Sequence, residues 1–319
     1  RISILPVYEG EKVVMRLLSS QKQELNLDTL GYSANNLSII KSNIAKTHGM
    51  LLVTGPTGSG KTTTLYSILK MLNSPEVNIS TIEDPIEYRL EGINQIQVNP
   101  KTNLTFANGL RSILRQDPDI VMVGEIRDEE TAGIAINSAL TGHLVLATLH
   151  TNNAATTLPR MLEMGVEAFL VAATTNAVIA QRLVRKVCPH CKEEYSVTRI
   201  SLDEMSKNAR MKYNVVEVFD SVISTHPELA EKKTADGFLI VKGKGCERCG
   251  NTGFSGRLSI SEVIDVTEEL KGLILNNGNA NEIEDLAVKQ GMVPMFIDGM
   301  IKVLQGSTTI EDVLRVMRE

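Results

Sequence analysis

The stretch Gly55-Pro56-Thr57-Gly58-Ser59-Gly60-Lys61-Thr62 decides how this chain is read. It satisfies G-x-x-x-x-G-K-[ST], in which glycines let the backbone wrap around phosphates so that successive N–H groups and a helix N-terminus face the negative charge. Its flanks supply the setting that the pattern needs. Met50-Leu51-Leu52-Val53-Thr54 is a nearly continuous apolar run of strand length, and Leu65, Ile68, Leu69 and Leu72 fall at the i, i+3, i+4, i+7 spacing of a core-facing helix. Strand, glycine loop and amphipathic helix in that order predict a phosphate-binding loop. Lys61 would reach the β and γ oxygens of a nucleotide, Thr62 would offer its hydroxyl to Mg²⁺, and Thr63 would extend the binding set.

Outward from this loop, strands and helices alternate as in a parallel α/β sheet with crossover helices. Helix is expected over 36–48, with Gly49 capping it, and strand over 77–82. Thr105 should cap a helix carrying Leu110, Ile113 and Leu114; strand 120–123, helix 128–140 and strand 144–149 follow. From there the chain reads as mostly helical to Arg182. Before the sheet, Ile2, Ile4, Val7, a Glu9-Gly10 turn and an apolar-rich run over 12–18 predict a small β segment that cannot form a core alone. The chain opens at Arg1 within this pattern, as expected of part of a longer polypeptide. Residues 198–236 form a polar, charged stretch that reads as a flexible loop, and beyond Thr267 short helices are expected, the last opened by Thr308-Thr309-Ile310-Glu311 as a capping box.

With 319 residues, a net charge of −5 and 42% hydrophobic residues, the chain is neither disordered nor membrane-spanning in composition. The apolar stretch 166–180 is too short and too interrupted to cross a bilayer. Absence of Trp and only 4% aromatic residues leave little material for stacking bases, and no broad basic footprint compensates, so nucleic acid is not an expected partner.

A nucleotide site needs a carboxylate at the end of a neighbouring strand to organise Mg²⁺. Asp119-Ile120-Val121-Met122-Val123-Gly124-Glu125 offers Glu125 there. Hydrolysis needs a group that orients or deprotonates water, and Thr81-Ile82-Glu83-Asp84-Pro85-Ile86-Glu87 crowds three carboxylates at a strand end. Spacing does not choose among Glu83, Asp84 and Glu87. His143 and His150 bracket one apolar strand; His150 would leave it near the edge that presents the phosphate loop, and both are candidates for sensing phosphate.

All four cysteines fall in two pairs, Cys188-Pro189-His190-Cys191 and Cys246-Glu247-Arg248-Cys249. Each pair can turn two thiolates toward one tetrahedral Zn²⁺, and such pairs suit a reducing compartment better than a secreted disulfide framework. The interval between the pairs exceeds the compact zinc spacings, so the fold must bring them together. A redox-active first pair and unmetallated thiols are the competing readings. A closed four-cysteine site would leave no open coordination position for catalysis.

Gly55 to Thr62, the acidic box, the run from Leu114-Arg115-Gln116-Asp117-Pro118-Asp119 into Gly124-Glu125-Ile126-Arg127-Asp128, and the histidine box from Gly142 to Asn152 together resemble the traffic ATPases of type II secretion and type IV pilus assembly. Gly31, Gln181-Arg182-Leu183, the cysteine pairs, and Gly291-Met292 with Asp298-Gly299-Met300 extend the resemblance over nearly the whole chain. It implies a RecA-like P-loop ATPase core at 35–186, preceded by a remnant of an N-terminal, PAS-like α/β domain and linker at 1–34. A tetracysteine zinc module with a flexible insertion would occupy 187–257 and a C-terminal helical subdomain 258–319. It further implies ATP, Mg²⁺ and Zn²⁺ as cofactors, Lys61 and Glu125 in catalysis with Glu87 as the catalytic carboxylate, and His143 and His150 as its histidine box. The motor would be a cytoplasmic hexamer at the inner face of the cytoplasmic membrane, acting on a platform protein. Arginines of the N-terminal domain would serve a neighbouring site, and the cysteine module would distinguish assembly and secretion motors from retraction motors. The alternative on the same core is a nucleic-acid translocase, which would need a basic or stacking channel.

Overall fold

A computed structural model describes residues 2–15, 26–209 and 213–318. Arg1, Arg16 and the end of the expected opening β segment lie outside the described residues. The segment begins as a hairpin of β1 (Ile2–Val7) and β2 (Gly10–Met15), paired antiparallel with Val7 opposite Gly10 across Tyr8-Glu9. Both of its faces are exposed, including Ile2, Leu5, Val13 and Met15.

The body of the chain is built on one seven-stranded sheet. After α1 (Ala34–Ile44) come β3 (Gly49–Thr54), α2 (Lys61–Leu72), β4 (Ile79–Glu83), β5 (Asn94–Gln97), α3 (Phe106–Ile113), β6 (Ile120–Val123), α4 (Glu129–Leu140) and β7 (Leu144–Leu149). α5 (Thr157–Glu163), α6 (Ala168–Thr174), β8 (Thr175–Val187) and, much later, β11 (Phe254–Asp265) complete it. Its order is β11-β8-β3-β7-β6-β4-β5, parallel throughout except for β11 at one edge. β3 lies mid-sheet with every residue buried, so its side chains alternate between two cores. Leu51 and Val53 join Ile40, Leu65, Ile68 and Leu69 on the face covered by α1 and α2. Met50 and Leu52 join Ile136, Val171 and Met300 on the opposite face.

Regular helix does not continue to Arg182. It ends with α6, and β8 follows between β3 and β11. Ala177-Val178-Ile179-Ala180 is buried on both faces, so it lacks the polar alternation that marks a half-exposed strand. An apolar run of this kind cannot be told from a buried helix by periodicity; pairing on both sides decides it.

The stretch expected as a loop is largely regular. Between β9 (Lys192–Thr198) and β10 (Gly237–Gly243), which pair antiparallel, the chain folds into α7 (Arg199–Ala209) and α8 (Val215–Thr225). Val215, Val218, Phe219 and Val222 keep helical spacing within its polar surroundings, and all four are buried. The chain closes with α9 (Glu268–Leu275), α10 (Ala280–Lys289), α11 (Met295–Leu304) and α12 (Ile310–Arg318). The start of α12 differs from the expected box: Asp312 N–H donates to Thr309 Oγ1 at 3.3 Å, while the Thr308 hydroxyl goes to Arg185 O at 2.9 Å. Thr309 therefore caps the helix. No helix among the described residues is long and apolar enough to cross a membrane.

Candidate nucleotide site and cysteine cluster

The loop between β3 and α2 owes its course to Gly55, Gly58 and Gly60, whose φ values of +142°, +83° and +92° favour glycine. At Gly55 a Cβ would also stand 2.5 Å from Gln181 O, so space as well as conformation demands glycine. α2 starts at Lys61 with no side-chain cap on its N-terminus, leaving its first N–H groups for another acceptor. Ser59 Oγ is buried without a hydrogen-bond partner. Lys61 Nζ donates to two carbonyls of its own loop, Gly55 O at 2.7 Å and Pro56 O at 3.1 Å. Burial pulls Lys61 down to about 8 against the opposing charge of Glu125. A helix terminus without a cap, an orphaned hydroxyl and a cation resting on neutral acceptors form a donor set suited to phosphate.

The neighbouring strands end at the same edge. Glu125 follows β6, is only 8% exposed, and lies 2.5 Å from Arg127 and 3.4 Å from His150 Nε2. Two bonds hold this turn against β7: Ile126 N–H to Thr148 O at 2.9 Å and Thr148 Oγ1 to Gly124 O at 2.5 Å. Burial, then the charge of Lys61, lowers the pKa of His150 against the pull of Glu125. Lys61, Glu125 and His150 therefore form one electrostatic cluster. His143 is not brought to it, because it stands at the other end of β7, roughly 20 Å away, with Nδ1 2.9 Å from Ser138 O. Thr62 and Thr63 occupy the first turn of α2.

The acidic box divides. Glu83 ends β4 at 2% exposure, accepting hydrogen bonds from the Tyr66 hydroxyl, from Thr81 Oγ1 at 2.5 Å and from Gln95 Nε2 at 3.1 Å. It is a structural carboxylate tying α2 to the sheet, which removes it from the choice of base. Asp84 is exposed, and Glu87 is half-buried in the loop beyond the cis Asp84-Pro85 bond. Arg127 was not anticipated as a partner of Glu125; its place two residues downstream was the available signal.

The cysteine pairs do meet. β9 and β10 pair from Gly237 opposite Thr198 to Gly243 opposite Lys192, so the intervening chain returns to its starting point. Lys244 N–H then donates to Cys191 O at 3.0 Å and Cys188 N–H to Gly253 O at 2.9 Å. The four sulfurs lie within 4.8 Å of one another. Cys188 to Cys246 and Cys191 to Cys249 are 3.9 Å, and Cys246 to Cys249 is 3.7 Å. Tetrahedral zinc with ordinary Zn–S bonds would set its sulfurs ~3.8 Å apart. N–H groups of Cys246 and Gly253 point at Cys249 Sγ from 3.2 and 3.3 Å, as suits a thiolate. The donor set fits a closed structural zinc site.

Comparison with known proteins places this geometry. The family described as Type II/IV secretion system protein matches residues 1–315. The chain is 45% identical over 319 residues to the Type IV pilus assembly ATPase PilB of Pseudomonas aeruginosa, covering 100% of this chain and 52% of that protein. It is 47% identical over 319 residues to the Type II secretion system protein E of the same organism, covering 100% of this chain and 58% of that one. The chain thus spans about half the length of these curated relatives. Among solved structures, that of the pilus retraction motor PilT with bound ADP aligns with a TM-score of 0.66 at 25% identity, over 98% of this chain and 72% of that one. On the match across nearly its whole length, the chain belongs to the Type II/IV secretion system protein family.

Proposed function

We propose that this chain is the motor portion of an ATPase that drives type IV pilus assembly or type II secretion. The observation that carries the proposal is the cluster at the carboxyl edge of the sheet, where Lys61, Glu125 and His150 converge beside the glycine loop. The relatives named PilB and secretion protein E support the same reading.

In this proposal Gly55, Pro56, Thr57, Gly58, Ser59, Gly60, Lys61, Thr62 and Thr63 bind the phosphates of ATP. Thr62 and Glu125 would hold Mg²⁺, which supplies charge neutralisation for phosphoryl transfer when bound. Arg127 would leave Glu125 to free the carboxylate. Glu87 would take the proton of the attacking water, and neutral His150 would hold that side of the site by hydrogen bonding. Cys188, Cys191, Cys246 and Cys249 would hold a structural zinc that staples the ends of the β9–β10 excursion.

A homohexamer working at the inner face of the cytoplasmic membrane on a platform protein completes the proposal. So does the division of the chain at residues 34, 186 and 257, with β11 running across the last of these. The cysteine cluster favours assembly or secretion over retraction. Phosphate release from ATP tests the reading: the chain should turn over with Mg²⁺, and Lys61→Ala should abolish turnover. A folded wild-type chain that binds no adenine nucleotide would refute it.

A further inference from the structure

Behind the phosphate loop lies a buried polar group that the proposed chemistry does not use. Gln181, on β8, is 1% exposed and ties that strand to two segments far from it in sequence, the loop-and-helix segment 59–64 and Tyr32. Its Nε2 donates to Ser59 O, inside the loop, at 2.8 Å. Its Oε1 accepts from Thr64 Oγ1 on α2 at 2.9 Å and from the Tyr32 hydroxyl. Tyr32 Oη and Thr64 Oγ1 are themselves 2.8 Å apart.

The bond to Ser59 O fixes a peptide plane. In a planar trans peptide the C=O and the following N–H point in opposite directions, so turning Ser59 C=O toward β8 turns Gly60 N–H away from it. Gly60 sits at φ +92°, and a Cβ there would come within 3.0 Å of Gln181 Nε2, so the loop is pressed against this amide. Ser59 O, which can only accept, decides which way round the amide lies: Nε2 must face it, since the reverse orientation would set a carbonyl against a carbonyl. Oε1 is thereby left to the two hydroxyls, both of which donate to it and hold the amide in that orientation. Burial raises the Tyr32 phenol far above its ordinary value, so it remains an O–H donor throughout the working pH range.

Tyr32 is also the residue through which the N-terminal segment reaches the site. It follows Gly31, whose φ is +99° and whose Cβ would meet Leu258 Cβ and Ser259 O at 3.2 Å. Just before it, Leu30 O accepts from Ser259 N–H at 2.8 Å. The linker is therefore pinned to β11 immediately before its tyrosine enters the space under the phosphate loop.

We infer that Gln181 is a positioning residue for nucleotide binding, held in its working orientation by Tyr32 and Thr64, and that it sets the Ser59–Gly60 peptide so that Gly60 N–H serves the phosphates. This inference rests on the nucleotide reading of the loop. It links the chain ahead of the motor core to the affinity of the site through one tyrosine hydroxyl.

The test uses the 319-residue chain and two substitutions. Gln181→Met keeps the length of the side chain but removes both donor and acceptor. Tyr32→Phe removes one hydroxyl. Gln181→Met should weaken MgADP binding and raise KM for ATP by about tenfold, the loss of one hydrogen bond to a buried loop carbonyl, with kcat at saturating ATP within about twofold of wild type. Tyr32→Phe should raise both by about threefold, because Thr64 still donates to Oε1. Zinc content should be unchanged in both variants. A merely structural role would lower the melting temperature and kcat while leaving KM alone, and that result overturns the inference. If Gln181→Met does not fold, Tyr32→Phe decides, and a wild-type affinity for MgADP overturns it. Wild-type chain that binds no MgADP would sink the nucleotide reading and this inference with it; binding by wild type with unaltered variants sinks the inference alone.

Discussion

Lys61 should make nucleotide affinity fall as pH rises above 8, well below the point at which an ordinary lysine discharges. Its ammonium rests on Gly55 O and Pro56 O, two neutral acceptors, and burial brings it down to about 8, with Glu125 opposing the shift. Bound phosphates replace those carbonyls with anionic oxygens, which favour the charged form and raise the pKa in the complex. Only the ammonium form is attractive. With a free-state value of about 8, roughly nine-tenths of the population is charged at pH 7 and roughly one-tenth at pH 9, so the dissociation constant for MgADP should rise about tenfold across that interval. Lys61 is partly exposed, and solvent screening makes this figure a ceiling. His150 does not confuse the window, since its pKa is lowered by burial and it is already neutral at pH 7. Calorimetric titration at pH 7, 8 and 9, in buffers of different ionisation enthalpy, reads both affinity and proton uptake; uptake should appear above pH 8. Lys61→Arg keeps its charge throughout and should give a flat profile at lower affinity. A wild-type affinity constant to pH 9, with no proton uptake, would refute the reasoning.

Three further outcomes are expected. Glu87→Gln should bind ATP but release phosphate 10²–10⁴-fold more slowly, a range of the order assigned to general-base loss; wild-type turnover would exclude Glu87 as the base. Cys249→Ser should drop zinc, measured by elemental analysis, from one ion per chain to nearly none and lower the unfolding temperature; undiminished zinc would show that three thiolates suffice. Lys302→Met should cost about 3–5 kcal/mol in urea unfolding, because Asp298, bonded to Lys302 Nζ at 2.5 Å and buried with it, would be left with an uncompensated charge. A cost below about 1 kcal/mol would mean that Asp298 is neutral in the folded chain.

The parts of the molecule legible in the sequence are those whose signal is local. The phosphate loop announces itself through three glycines and a lysine within eight residues, and β3, β6 and β7 through short apolar runs bounded by polar turns. β8 was hidden because its core is apolar on both faces and carries no alternation. α7 and α8 were hidden because charged residues masked the Val215, Val218, Phe219 and Val222 stripe. At the site, Glu125 and His150 could be placed by strand ends, whereas His143 could not, since bracketing a strand separates two residues rather than joining them. Glu83 and Glu87 looked alike in sequence; burial beneath Tyr66 distinguishes them. Gln181 is 122 residues from its acceptor Ser59, and no local pattern encodes such a contact.

β8 and β11 are hydrogen-bonded neighbours, with Phe254 opposite Val187, so everything between them amounts to the loop of one enlarged hairpin. Topologically the excursion could be snipped out and the strand ends rejoined by a tight turn without disturbing the sheet. Energetically it is not detachable: Tyr213 stacks on Phe296 of α11 with centroids 5.6 Å apart, and Phe219 and Phe238 belong to the same core as Met300. Cutting it out would uncover the side of α11 on which Phe296 meets Tyr213, so a shortened chain would need new surface residues there.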